Sequence, residues 1–184
     1  MFGNDSEPVQ MYRDCAAVLI PSGDEVILRK GSNGFITQSL GGSFTIYLDG
    51  RLFRIAGQNA DALGKDPVPP PSLPDNASSD DVEQLLWAQM KTCYDPEIPI
   101  NVVDLGLIYQ CEMREADNDE RHVDIKMTLT APGCGMGEIL VHDVKSKVEI
   151  VPTISKVDVE LVFDPPWSQE MMTEAARLQT GMMY

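Results

Sequence analysis

Val123-Asp-Ile-Lys-Met-Thr-Leu129 runs directly into Thr130-Ala-Pro-Gly-Cys-Gly-Met-Gly-Glu138. Val123, Ile125, Met127 and Leu129 alternate with Asp124, Lys126 and Thr128, the period of a half-buried strand. From residue 138 to 148 the period lengthens, and Val141, Val144 and Val148 fall on one face of a helix. Cys134 therefore sits among Gly133, Gly135 and Gly137 between a strand and a helix. A helix N-terminus carries unpaired N–H groups and partial positive charge, which favours a thiolate. The glycines let backbone or ligand come close to the sulfur.

Working outward from this stretch, the second half of the chain alternates helix and strand. Asp80 or Asp81 can cap a helix whose apolar face is Val82, Leu85, Leu86, Met90 and Cys93, and Pro96 and Pro99 stop it. Residues 102–111 read as a strand broken by Gly106, and 114–122 as a polar turn into the Val123 strand. Val157, Val159, Leu161 and Phe163 give another strand, ended by Pro165-Pro166. Ser168 can cap a last helix bearing Met171, Met172, Ala175 and Leu178. The order α-β-β-α-β-α predicts an α+β fold, a small α/β sandwich with helices on one face of a mixed sheet.

The first part reads as a small all-β domain. Residues 16–20, 25–29 and 35–39 are short strands between turn signals, and Asp49-Gly50 joins two apolar runs as a two-residue hairpin. Gly41-Gly42 reads as a tight turn in preference to an anion cradle, because no helix follows to supply a dipole. Residues 64–80 hold five prolines, Pro67, Pro69, Pro70, Pro71 and Pro74, and form a semi-rigid linker. The predicted layout is 1–63 as the all-β domain, 64–80 as linker and 81–184 as the α+β domain.

Charge excludes some partners. The formal net charge is −15, and residues 81–184 hold 19 acidic and 8 basic side chains, a net of −11. Nucleic acid and anionic membrane surfaces would be repelled. The N-terminus lacks the basic and apolar regions of a signal peptide, and no apolar run is long enough for a bilayer, so the expectation is cytoplasmic. The four cysteines, Cys15, Cys93, Cys111 and Cys134, form no Cys-x-x-Cys pair and are expected as free thiols.

Chemistry at Cys134 has two branches. A nucleophile needs a base, and the chain has only His122 and His142. His142 lies eight residues on, about 12 Å of helical rise away, and His122 starts the strand that delivers Cys134, near its far end. Soft metal binding is the other branch, but one thiolate is too few for a closed zinc site. Asp95-Pro-Glu97-Ile-Pro99 presents carboxylates on a stiff loop, with Asp104 nearby. Taken singly these acids serve equally to cap or turn the backbone. Cys93 and Cys111 read as packing. Cys15 reads either as an exposed, activated thiol or as the first residue of a strand.

Four blocks recur in order: Asp95-Pro96-Glu97-Ile98-Pro99, Val103-Asp104-Leu105-Gly106-Leu107-Ile108-Tyr109, Thr130-Ala131-Pro132-Gly133-Cys134 and Phe163-Asp164-Pro165-Pro166-Trp167. They resemble the iron–sulfur cluster assembly domain of the PaaD-like family, over about residues 80–180. Arg13-Asp14-Cys15, Ile20-Pro21-Ser22-Gly23, Thr37-Gln38-Ser39-Leu40-Gly41-Gly42 and Asn59-Ala60-Asp61-Ala62-Leu63-Gly64 are similar to the N-terminal extension of SufT proteins. The resemblance implies an accessory factor in iron–sulfur protein maturation and not an enzyme. The family cysteine falls on Cys134, flanked by Gly133 and Gly135, and the acidic loop on Asp95, Glu97 and Asp104. Cys15 joins them as a further metal-ligand candidate. The cargo implied is a transient iron–sulfur cluster or iron, with no tightly bound cofactor. The partners implied are the assembly machinery and client apoproteins, and two copies can share one cluster as a homo-oligomer. Two other readings stand beside it: a non-catalytic adaptor docking through acidic surfaces with Cys134 structural, and a thiol enzyme using Cys134 or Cys15.

Overall fold

A computed structural model describes residues 6–96, 98–133 and 135–181. The chain divides into two compact units, Met1–Pro70 and Pro71–Tyr184.

In the first unit, β1 (Glu7–Gln10), β2 (Cys15–Ile20), β3 (Glu25–Leu28), β4 (Asn33–Leu40), β5 (Ser43–Leu48) and β6 (Arg51–Ile55) form one sheet in the order β1-β4-β5-β6-β2-β3. Every pairing in it is antiparallel. β1 lies outside the strands that the sequence predicts; its Pro8 lacks an N–H, which suits an edge strand. Asp49 and Gly50 both have positive φ, 49° and 82°, as the tight β5–β6 hairpin requires. Gly41 and Gly42 close β4 onto β5 as a two-residue turn, also at positive φ. A 3₁₀ segment, Gly57–Leu63, follows β6. Its first residue must be glycine: a Cβ at Gly57 would overlap the carbonyl oxygen of Gly42. Met11, Ile36, Ile46, Phe53, Ile55 and Leu63 form the core.

In the second unit, α1 (Ser79–Met90), β7 (Ile108–Glu115), β8 (Arg121–Met127), α2 (Gly137–Glu149), β9 (Ile154–Leu161) and α3 (Glu174–Thr180) follow in the expected order. The unit is mixed α+β. β7 pairs antiparallel with β8, and β8 pairs parallel with β9 through the α2 crossover. Val82, Leu86, Met90, Ile125, Met127, Leu140, Val144, Val148 and Val157 are buried together.

Three local expectations are corrected. Ser78, not Asp80 or Asp81, caps α1; its hydroxyl accepts from the Asp81 N–H while the Asp81 carboxylate accepts from the Ser78 N–H at 2.8 Å. This reciprocal pair satisfies two end groups, where an Asp cap one turn later would leave them open. The strand proposed for 102–111 begins only at Ile108. Asn101 Oδ1 accepts from the N–H groups of Val103 and Asp104, and Gly106 turns at φ 71°. That side-chain bond gives the backbone an alternative to the ladder. Thr173, not Ser168, caps α3; Leu178 is 55% exposed, Ala176 is the buried residue of the helix, and Met172 is buried just before it. No helix among the described residues is long and apolar enough to cross a membrane.

Candidate functional site

β8 and β9 run parallel, so the connections leaving them emerge at the same end of the sheet. The first is the glycine-rich stretch before α2; the second is 162–173. A third loop, 91–107, joins them through backbone bonds. Thr128 N–H donates to Leu107 O at 2.9 Å, and Thr173 N–H donates to Asp104 O at 2.9 Å. Trp167 Nε1–H donates to Leu105 O at 2.8 Å. Crevices outside the carboxyl ends of parallel strands are where α/β sheets commonly bind ligands.

Cys134 and Glu97, both singled out from the sequence, lie outside the described residues. Their neighbours are placed. Ala131, Pro132, Gly133 and Gly135 are exposed. Gly133 adopts φ 81°, and a Cβ at Gly133 or Gly135 would meet nothing within 4 Å. These two glycines therefore leave open space around the loop. α2 starts three residues after Cys134, with no side chain capping its end. Gly137 is different: a Cβ there would lie 2.8 Å from Leu129 Cδ1, so glycine lets the helix start close to the strand it follows.

Asp95 is 6% exposed. One carboxylate oxygen accepts from the Ile98 N–H at 2.9 Å, and the other accepts from the Thr130 hydroxyl at 3.5 Å. The first bond is the turn-forming role expected of an acid beside two prolines. The second ties the acidic loop to Thr130, four residues before Cys134. Asp104 is half-buried, and its carboxylate accepts from Asn101 Nδ2 at 2.6 Å. Thr130 and Asn101 carry no signal of these contacts in the sequence. Nothing in the spacing marks them, since Thr130 and Asp95 are 35 residues apart.

Cys15 belongs to the other unit. It is the first residue of β2 and is 2% exposed, so the exposed-thiol alternative gives way to the strand one. Burial pushes its thiol pKa up, opposed in part by the Arg13 guanidinium. Arg13 in turn clamps Asp61 through two bonds of 2.6 Å and holds that carboxyl below its usual range. Cys93 is fully buried. Cys111 is half-buried on β7, and burial together with the charge of Glu83 pushes its thiol up to about 11. No group of three or more His, Cys, Asp or Glu placed to hold a metal occurs among the described residues.

A mixed three-stranded sheet whose connections bring a glycine-flanked cysteine loop and an acidic loop to one end is the class of site found here. The family described as iron–sulfur cluster assembly protein matches residues 83–161. A Porphyromonas gingivalis protein named Fe-S protein maturation auxiliary factor is 41% identical over 101 residues, covering 55% of this chain and 92% of that protein. The Staphylococcus aureus Fe-S protein maturation auxiliary factor SufT is 36% identical over 88 residues, 48% of this chain and 96% of that one. Among solved structures, a domain of unknown function DUF59 from Bacillus anthracis is 34% identical, covering 56% of this chain and 94% of that one, with a TM-score of 0.49. The chain belongs to the iron–sulfur cluster assembly protein family and is SufT-like, as the four sequence blocks implied.

Proposed function

We propose that this protein is a cytoplasmic auxiliary factor in iron–sulfur protein maturation that holds iron or a cluster transiently on Cys134 and passes it to client apoproteins. Relatives of 41% and 36% identity carry names that place them in this maturation. The observation that carries the site reading is the bond from Thr130 to Asp95, which sets the acidic loop beside the loop of Cys134. The donor set fits a cargo held briefly. One soft thiolate together with hard carboxylates of the acidic loop would make an incomplete shell for iron, and the remaining ligands come from a second copy, a client or a free thiol. Glu97 and Asp104 are the further oxygen donors of this reading. Cys15, buried in β2, is assigned to packing.

Release needs no oxidant. A client thiol gives up its proton as its sulfur bonds to iron, Cys134 sulfur leaves the iron and takes up a proton, and no electrons move. The protein acts as a carrier and not as an enzyme. The matching relatives align with the second unit, and we read 81–184 as the assembly domain, an α/β sandwich with helices covering one sheet face. Residues 1–63 are read as a small all-β domain joined to it by 64–80.

Anaerobic reconstitution with iron and sulfide, followed by Mössbauer spectroscopy and size-exclusion chromatography, tests the reading. Wild type takes up iron and Cys134→Ser does not, while both give the same circular dichroism. Equal uptake by the two, or none by wild type, sinks it. Sharing of one cluster by two copies predicts a dimer in the loaded state only; a loaded monomer excludes that arrangement.

A further inference from the structure

Phe163 is 47% exposed at the same end of the sheet as the cysteine loop. Its place is fixed by the strand before it. Val162 N–H donates to Met127 O at 2.8 Å, which closes the last pair of the β8–β9 ladder, Met127 with Leu161. Phe163 follows two residues after the end of β9 at Leu161. Leu161 itself faces the start of α2, because a Cβ at Gly137 would lie 3.7 Å from Leu161 Cδ1. Phe163 thus lies just past the end of β9 from which, on the neighbouring β8, the connection to α2 also leaves.

The loop after it is held at two points. Tyr109 Oη–H donates to Pro165 O, and Trp167 Nε1–H donates to Leu105 O, each at 2.8 Å. Asp164, Pro165 and Pro166, at and beside these anchors, are exposed. Proline fixes φ, so the loop loses little freedom when something binds to it. A large ring shown to solvent on a pinned loop has the character of an interface anchor, whose fixed geometry lowers the entropy cost of association.

We propose that Phe163 is the apolar anchor on which a client apoprotein seats beside the Cys134 loop. The inference rests on the function proposed above and names the contact that brings a client thiol within reach. The occupant it fits is a segment with an aliphatic side chain flanked by basic ones. The ring takes the aliphatic group, while Asp164 and the net charge of −11 over residues 81–184 attract the flanks.

A fluorescent peptide carrying cluster-type cysteines next to a Lys-Leu-Lys segment provides the probe, with a Lys-Ser-Lys version as its control. Binding to the full-length protein is read by anisotropy without iron, so the outcome is independent of whether Cys134 loads. Wild type binds the leucine peptide about tenfold more tightly than the serine peptide, and Phe163→Asp and Phe163→Ala lose that preference. Higher salt weakens all of these complexes. The proposal is overturned if wild type binds neither peptide, or if the Phe163 variants keep the leucine preference. It is also overturned if Phe163→Asp changes sedimentation of the protein alone and leaves peptide binding intact, since the ring then meets a second copy. Circular dichroism of both variants, with Phe163→Leu as a conservative control that retains partial preference, separates docking from folding. Failure of iron uptake with leucine preference intact would sink the Cys134 reading alone.

Discussion

Asp95 shows how one buried carboxylate can serve two neighbours. Its two oxygens accept from Ile98 N–H and from the Thr130 hydroxyl, and it is 6% exposed. Asp95→Ala strips both donors of their acceptor and is expected to lower stability by about 1–3 kcal/mol, measured by urea unfolding. The thiols differ in the same way, by environment. With Cys111 raised to about 11, its thiolate fraction at pH 8 is about one in a thousand. Iodoacetamide at that pH is expected to label Cys134 well before Cys111 or Cys15, read by peptide mass spectrometry. Labelling of Cys111 or Cys15 at the rate of Cys134 would contradict it. Cys111 also predicts a pH effect. Its folded pKa is raised, so the neutral thiol is favoured in the fold. The contribution is complete below about 9, where the unfolded thiol begins to ionise, and is lost as pH rises toward 11. Cys111→Val should flatten that part of the stability profile.

At the scale of elements, caps and turns decide where helices and strands begin. Ser78→Ala removes the hydroxyl that accepts from Asp81 N–H and should cost about 1 kcal/mol in urea unfolding, with the fold kept. Gly106 presents a stricter case. It has φ 71°, and a Cβ there would overlap the carbonyl of Met171. Gly106→Ala must therefore open the contact between the 91–107 loop and the segment before α3. The expected result is a lower urea midpoint and faster amide exchange around Leu105 and Thr173; unchanged exchange would show that the turn adapts. The period-2 and helical patterns that predicted β8, β9 and α2 survive in the structure because each buries one face, except that β9 stops at Leu161, short of the prolines, and leaves Phe163 outside the strand and exposed. The start of β7 and the caps of α1 and α3 did not follow the pattern. There a side-chain oxygen or a close backbone contact outweighs local hydrophobicity, and neither is visible in apolar spacing.

For the whole molecule, the two units carry separate cores, and the relatives matched are about as long as the second unit. A 71–184 fragment is expected to fold alone and unfold cooperatively, checked by circular dichroism and urea titration; an unfolded fragment would show that the unit depends on the rest of the chain. What the sequence by itself determined is the order of elements in 81–184, the hairpin at Asp49-Gly50, and the position of Cys134 between a strand and a helix. Those are local features, readable because periodicity and turn chemistry act over a few neighbouring residues. Only the tertiary structure decided that Thr130 meets Asp95 across 35 residues, that Cys15 is buried in a strand, and that Phe163 is left in solvent past the end of β9. These depend on how strands pair and which faces are covered, and residues far apart in the chain acquire those relations only when the sheet assembles.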